Sequence, residues 1–275
     1  MRKELDMVPI LSMVFMLVSL IIAVGLPVIL CIWLRIVKKA DLLPFFVGCG
    51  VMILFAFVLE SLAHRFILNS KAGSVIMGNI WLYGLYGGAM AGLFEESGRF
   101  IAFKTVLRKK QNNDANALMY GAGHGGIEAF IILGITSINN ILYSVLINTG
   151  RTSVLTGPLS GEMLTQAEGA VQALITTPSW HFLLGSVERI LAIIVQISFS
   201  VLVWFAAKEK KRVYLYPITI LLHLIVDAAT AILAGKNVSL VLVEALVAAF
   251  AVISVFIAGK TWELDAGAPG THPSH

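Results

Sequence analysis

The chain has 275 residues, 58% of them hydrophobic and only 13% charged, with a formal net charge of +4 and a mean hydropathy of +0.87. A soluble domain carries about twice that charged fraction, so the composition excludes that class. Long apolar runs separated by short basic clusters predict an all-α, polytopic membrane protein.

The basic pI of about 9.1 comes from lysines and arginines that flank the apolar runs, not from a stripe of the kind that binds nucleic acid. Cys31 and Cys49 both fall inside apolar runs, which argues against a disulfide framework. Met1-Arg2-Lys3 followed by an apolar run has the outline of a signal peptide. The run continues to about Trp33 with no Ala-x-Ala site, so it reads as a retained first span.

Seven spans can be drawn, at about 8–34, 42–63, 75–103, 115–147, 180–206, 213–234 and 239–259. At about 1.5 Å per residue each is long enough for a ~30 Å hydrocarbon core. They are expected to form a single multi-pass domain over residues 1–262, with a short disordered tail over 263–275. Arg35, Lys38 and Lys39, then Lys104, Arg108, Lys109 and Lys110, then Lys208, Lys210, Lys211 and Arg212 gather in one set of loops. By the positive-inside rule that set is cytoplasmic, which puts the N-terminus outside and the C-terminus and its tail in the cytoplasm of a cell membrane. In the long connection at about 148–179, Leu164, Ala167, Val171 and Leu174 recur at helical spacing opposite Glu162, Gln166 and Gln172. That pattern predicts a short amphipathic helix on the outer surface, acting as a plain connector or as a lid.

Three of the spans carry ionisable residues where lipid would resist them. The third holds Gly92-Leu93-Phe94-Glu95-Glu96-Ser97-Gly98-Arg99, the fourth His124 and Glu128, and the sixth His223 and Asp227. One charge at the centre of a bilayer costs at least ~2.5–3.5 kcal/mol. Counted from the expected cytoplasmic ends, Glu95 and His124 each lie about nine residues in, ~14 Å, and His223 about ten, ~15 Å. The matched depth predicts one polar site between spans 3, 4 and 6. Glu95 and Arg99 stand four residues apart, as do His124 and Glu128, and His223 and Asp227, so each pair shares a helix face. The glycines at 84, 88 and 92, and those at 121, 123, 125 and 126, fit close helix packing. Other polar positions read as interfacial: Glu60, His64 and Arg65 near the end of the second span, Glu188-Arg189 on the fifth, and Glu244 on the seventh.

These residue types suit hydrolysis of an amide. Glu95 or Glu96 serves as the base that activates water, Arg99 holds the other carboxylate ionised, and His124 and His223 stabilise the oxyanion or bind a metal. The set of His124, His223 and a carboxylate (Glu128 or Asp227) has the donor types of a catalytic Zn2+ site, while the same glutamates and histidines can also act without metal. A transporter that relays protons through its midplane groups, or a non-catalytic scaffold or chaperone of protease ancestry, would use the same residue types. The absence of repeated halves argues against the transporter, and the presence of every polar group argues against the scaffold.

The motifs Glu95-Glu96-x-x-Arg99, Gly121-Ala-Gly-His124-Gly-Gly-Ile-Glu128-Ala129 and His223-x-x-x-Asp227 resemble those of the YhfC group of intramembrane proteases. That group lies within the superfamily of the CPBP (type II CAAX-processing and bacteriocin-protection) and PrsW proteases. CPBP enzymes carry Glu-Glu-x-x-x-Arg, then Phe-x-x-x-His, then His-x-x-x-Asn or Asp. Here Arg99 comes one residue earlier, closer to the Glu-Glu-x-x-Lys of PrsW, and Tyr120 stands where the Phe would be. The resemblance implies a protease whose site comprises Glu95, Glu96, Arg99, His124, His223 and Asp227, with Glu128 outside the shared pattern. The expected partners are the lipid bilayer and a membrane-associated protein or peptide substrate, with no nucleic acid and no specified oligomeric state.

Overall fold

The computed structural model describes residues 7–265. Among them there is helix and no strand, as lipid demands: without water, backbone N–H and C=O groups must pair within the segment. The helices are α1 (Ile10–Ile36), α2 (Leu43–Leu68), α3 (Lys71–Met77), α4 (Ile80–Lys104), α5 (Ala115–Asn148), α6 (Gly161–Thr176), α7 (His181–Lys208), α8 (Leu215–Gly235) and α9 (Leu240–Asp265). Among the described residues, six helices are long and apolar enough to cross a membrane: α1, α2, α5, α7, α8 with the turn before it, and α9. Of the seven drawn spans, α4 is the one outside that set. At 25 residues it has the length, but it carries Glu95, Glu96 and Arg99.

Several boundaries differ from those drawn on the sequence. The third span begins at Ile80 rather than near 75, because Asn79 caps it: its Oδ1 accepts from the Trp81 and Leu82 backbone N–H groups at 2.9 and 3.3 Å. The residues before it form the separate α3, whose first turn is capped by Ser70. The last helix runs through Trp262 to Asp265; residues 266–275 of the expected tail lie outside the described residues, as do Arg2 and Lys3. A π-helical turn over Ile53–Glu60 lies inside α2, and another over Phe130–Gly134 inside α5.

Two compact units are distinguishable. The first comprises residues up to 26 and residues 129–190. Its core joins Val8, Met16, Ile147 and Leu174, with Val171, Ile175 and Phe182 packed against them. The amphipathic helix read from the sequence is α6: Leu174 is buried, Leu164, Ala167 and Val171 are half-buried, and Glu162, Gln166 and Gln172 are exposed. Hydroxyls tie the unit together. Ser186 Oγ donates to Ser19 Oγ (2.7 Å), which donates to the Phe182 carbonyl (2.8 Å). Glu188 and Arg189 pair with each other.

The second unit comprises residues 27–128 and 191 onward. Its core is aromatic, with Phe103, Tyr120, Phe199, Trp204 and Phe205 fully buried. Here α4 and α8 run antiparallel in close contact: a Cβ at Gly88 would lie 2.5 Å from the Leu224 carbonyl oxygen. Only glycine permits that approach, which brings the motif of α4 against His223.

Candidate functional site

The three motifs meet within the second unit. Glu95, Glu96, Arg99, His124 and His223 are all buried, and each has a polar neighbour from another helix. Their helices are pressed together where the glycines lie. On α5, a Cβ at Gly123 would overlap the Phe45 carbonyl, and one at Gly125 would crowd Ile193 and Gln196.

The two adjacent carboxylates have different surroundings. Glu96 is saturated. Arg99 Nη1 donates to both of its oxygens, at 2.8 and 2.6 Å, and His223 Nδ1 lies 2.8 Å from Oε1. The spacing of four residues suggests that Arg99 faces Glu95. Instead it pairs with Glu96 at i,i+3, with Nη1 held between the two Glu96 oxygens while Nη2 reaches Gln196 Oε1 on α7.

Glu95 is held on one oxygen only. Its Oε2 lies 3.0 Å from His124 Nε2 and accepts from Gln196 Nε2 at 2.9 Å. Its Oε1 faces His223 Nε2 across 3.9 Å, beyond hydrogen-bond range and at a separation that one water can bridge. Asp227 Oδ2 lies 3.4 Å from the same His223 Nε2, and at 41% exposure its side chain is the most open part of the cluster.

Aromatic rings fix both imidazoles. Tyr120, four residues before His124, stacks on it with centroids 5.7 Å apart, and Phe199 lies 5.3 Å from the His223 ring. His124 Nδ1 is buried with no hydrogen-bond partner among the described residues. A bare lone pair is the cheaper atom to leave there, since a buried N–H without an acceptor costs about 1–3 kcal/mol. Nε2 therefore carries the proton and donates it to Glu95.

Two residues enter the site that the sequence motifs do not contain. Gln196, in the middle of the fifth span, bridges three partners. Its Oε1 accepts from Arg99, and its amide nitrogen lies 2.9 Å from both Glu95 Oε2 and Glu128 Oε2. The site thus draws on the fifth span as well as spans 3, 4 and 6, and Glu128 joins it through Gln196. The signal was present: Gln196 lies twelve residues before Lys208, ~18 Å along the helix, close to the depth of the other three motifs. The second is Glu60, read from sequence as interfacial. It is buried and lies within charge–charge range of Glu95, His223 and Asp227.

A metal tests this arrangement further. Among the described residues no three His, Cys, Asp or Glu side chains are placed to hold a metal ion: His124 and His223 both adjoin the Glu95 carboxylate, whereas Glu128 is linked to it through Gln196. A ligating histidine gives its other ring N–H to an acceptor. His223 meets that requirement through Glu96, whereas His124 does not, because its Nδ1 has no acceptor. The donor types suit zinc, but their arrangement does not.

Comparison with known proteins agrees with the motifs. The chain is 36% identical over 249 residues to the "Uncharacterized membrane protein YhfC" of Bacillus subtilis (strain 168), covering 89% of this chain and 94% of the relative. No solved structure matches it. The profile described as YhfC intramembrane metalloprotease matches residues 21–248, and with these three motifs meeting at one buried site, this multi-pass membrane protein belongs to the YhfC family.

Proposed function

We propose that the chain is an intramembrane endopeptidase that cleaves a membrane-associated protein or peptide, with Glu95 as the general base. One observation carries the assignment. Of the adjacent carboxylates Glu95 and Glu96, only Glu95 keeps an oxygen clear of direct hydrogen bonds, and that oxygen faces an imidazole nitrogen across 3.9 Å. A water there would lie between Glu95 Oε1 and His223 Nε2. Glu95 removes its proton as the water oxygen attacks the peptide carbonyl carbon. His223, oriented through its Nδ1–H by Glu96, acts as the imidazolium and donates its Nε2–H to the oxyanion that forms. Glu95 then returns the proton to the amide nitrogen, the carbon–nitrogen bond breaks, and a carboxyl and an amine leave. His124 and Gln196 hold Oε2, which aims Oε1 at the water. Arg99 acts one step back by holding the Glu96 carboxylate that orients His223. In a buried, low-dielectric site these charges act more strongly than in water. No step is routed through a metal, because His124 and Glu128 do not fit a ligand set. The basic loops orient the chain with its N-terminus outside and its C-terminus in the cytoplasm.

The test pairs cleavage of a quenched peptide library by the purified protein in detergent with metal analysis of the same samples. Wild type is expected to cleave, to keep cleaving after exhaustive chelation, and to lose cleavage in Glu95→Gln, His124→Ala and His223→Ala. Cleavage abolished by chelation, with about one zinc per chain that either histidine variant releases, would replace this mechanism with a metal-dependent one. Cleavage retained in Glu95→Gln would remove Glu95 as the base.

A further inference from the structure

A second polar group lies beside the site on the opposing helix. Glu60 closes the π-helical turn of α2, a feature that recurs at functional positions. Its Oε1 lies 3.1 Å from His64 Nε2, and His64 Nδ1 lies 2.8 Å from the Tyr86 hydroxyl on α4. The helices run antiparallel, with Phe55 of α2 against Gly98 of α4 and His64 against Tyr86. Glu60 is therefore stationed between Tyr86 and Glu95, which are nine residues apart, ~14 Å along α4. On the far side, His223 and Asp227 take the same step of one turn toward the same ends of the helices, those at Leu68, Ile80 and Gly235. Exposure rises in that direction. The Glu60 side chain is 11% exposed, that of His64 30%, and that of Asp227 41%.

An acid and a histidine that only braced two helices would be costly inside an apolar span, and neither is a partner of Arg99. Polar side chains at such depth pair with one another and line water-filled space. Hydrolysis in a buried site also needs a supply of water. We infer that Tyr86, His64 and Glu60, with Asp227 facing them, line a hydrated track that leads water from the Leu68–Ile80 end of the bundle to Glu95. The role assigned to the water at Glu95 rests on the hydrolase assignment above; the track itself does not. By the orientation proposed from the basic loops, it opens on the outer side.

Cysteine accessibility tests the track without relying on activity. In a full-length background with Cys31→Ser and Cys49→Ser, single variants Glu60→Cys, His64→Cys and Tyr86→Cys are compared with Leu59→Cys and Leu62→Cys. These two controls lie on the same turns but present apolar, exposed side chains. In proteoliposomes, a charged, membrane-impermeant methanethiosulfonate is expected to label positions 60 and 64 at least tenfold faster than 59 and 62. Equal or slower labelling would overturn the track, whatever the protein cleaves. Modified His64→Cys is then expected to cleave at least tenfold more slowly than the same variant unmodified, with recovery on reduction. Unchanged cleavage would show that water reaches Glu95 by another route. Labelling as expected in a protein whose wild type cleaves nothing would leave the track standing and remove the hydrolase assignment.

Discussion

The second unit contains two kinds of ionic cluster, built from the same side chains to opposite rules. At the helix ends, Asp114 accepts from Trp204 Nε1 at 2.8 Å and from Lys208 Nζ at 2.7 and 2.9 Å. Nearby, Lys110 lies 3.2 Å from Asp41, which also receives the Asn116 amide. Their side chains are 17–37% exposed, and each carboxylate meets a cation of its own. Around Glu95 the arrangement differs: Arg99 pairs with Glu96 in full enclosure, while Glu95 and Asp227 meet histidines rather than an arginine or lysine of their own. The end clusters staple helices where solvent lowers the cost. The carboxylates at the buried site fit the general base proposed for Glu95, and their energetic cost there argues for a role other than holding helices together.

The largest expected effect separates the two clusters by function. Glu95→Gln keeps the shape and the acceptor for His124 but removes the proposed base, and cleavage is expected to fall by about 10²–10⁴-fold while the melting temperature changes little. Asp114→Asn should leave cleavage near wild type. If both substitutions reduced cleavage alike, the contrast between the clusters would collapse.

The next separates them by stability. Arg99→Met strands Glu96 in an enclosed site, and breaking a buried pair from one side costs about 3–5 kcal/mol. Lys208→Met loses a partly exposed contact worth about 0–1 kcal/mol. Denaturant titration of both in detergent measures the gap. The double variant Arg99→Met/Glu96→Gln should recover part of the larger loss, because the uncompensated charge is gone.

A smaller effect belongs to Gln196. Replacing it with Leu removes one donor from Glu95 Oε2 and the acceptor of Arg99, and leaving such groups short of partners costs about 1–3 kcal/mol. The expected outcome is a lower kcat with KM largely unchanged, since Gln196 aims Glu95 rather than binding substrate. A change in KM alone would place Gln196 in substrate recognition.

Gln196 also marks the limit of what could be read from the chain. Membrane helices and the meeting of Glu95, His124 and His223 were legible because apolar run length and the cost of buried charge leave few alternatives. A neutral amide in an apolar span raises no comparable alarm, and its role emerges only when Arg99, Glu95 and Glu128 are seen around it. The same applies to the choice of Glu96 over Glu95 by Arg99. Spacings of three and four residues both put side chains on one helix face, and the spacing alone does not decide between them. Glu60 was misread for a different reason: counting residues from a helix end gives depth but not which neighbour a side chain faces.

The smallest prediction tests the end clusters by pH. Asp41 lies between α1 and α2, outside the apolar spans. Burial pushes its carboxyl upward, but hydrogen bonds from Lys110 and Asn116 and the charges of Lys110 and Arg35 outweigh that and hold it below its ordinary value. A carboxyl held low in the folded state stabilises the fold above its unfolded pKa of about 3.9 and loses that contribution as pH falls through the lower folded value. Melting temperature measured from pH 6 down to pH 3 should therefore fall for wild type, and Asp41→Asn should flatten part of that fall while lowering the value at pH 6 by no more than about 2–4 °C. The effect should also shrink in high salt, because Asp41 and Lys110 are both partly exposed. A salt-insensitive loss much larger than this would mean that the end clusters carry structural weight comparable to the buried site, and the division between cheap staples at the ends and costly chemistry in the middle would fail.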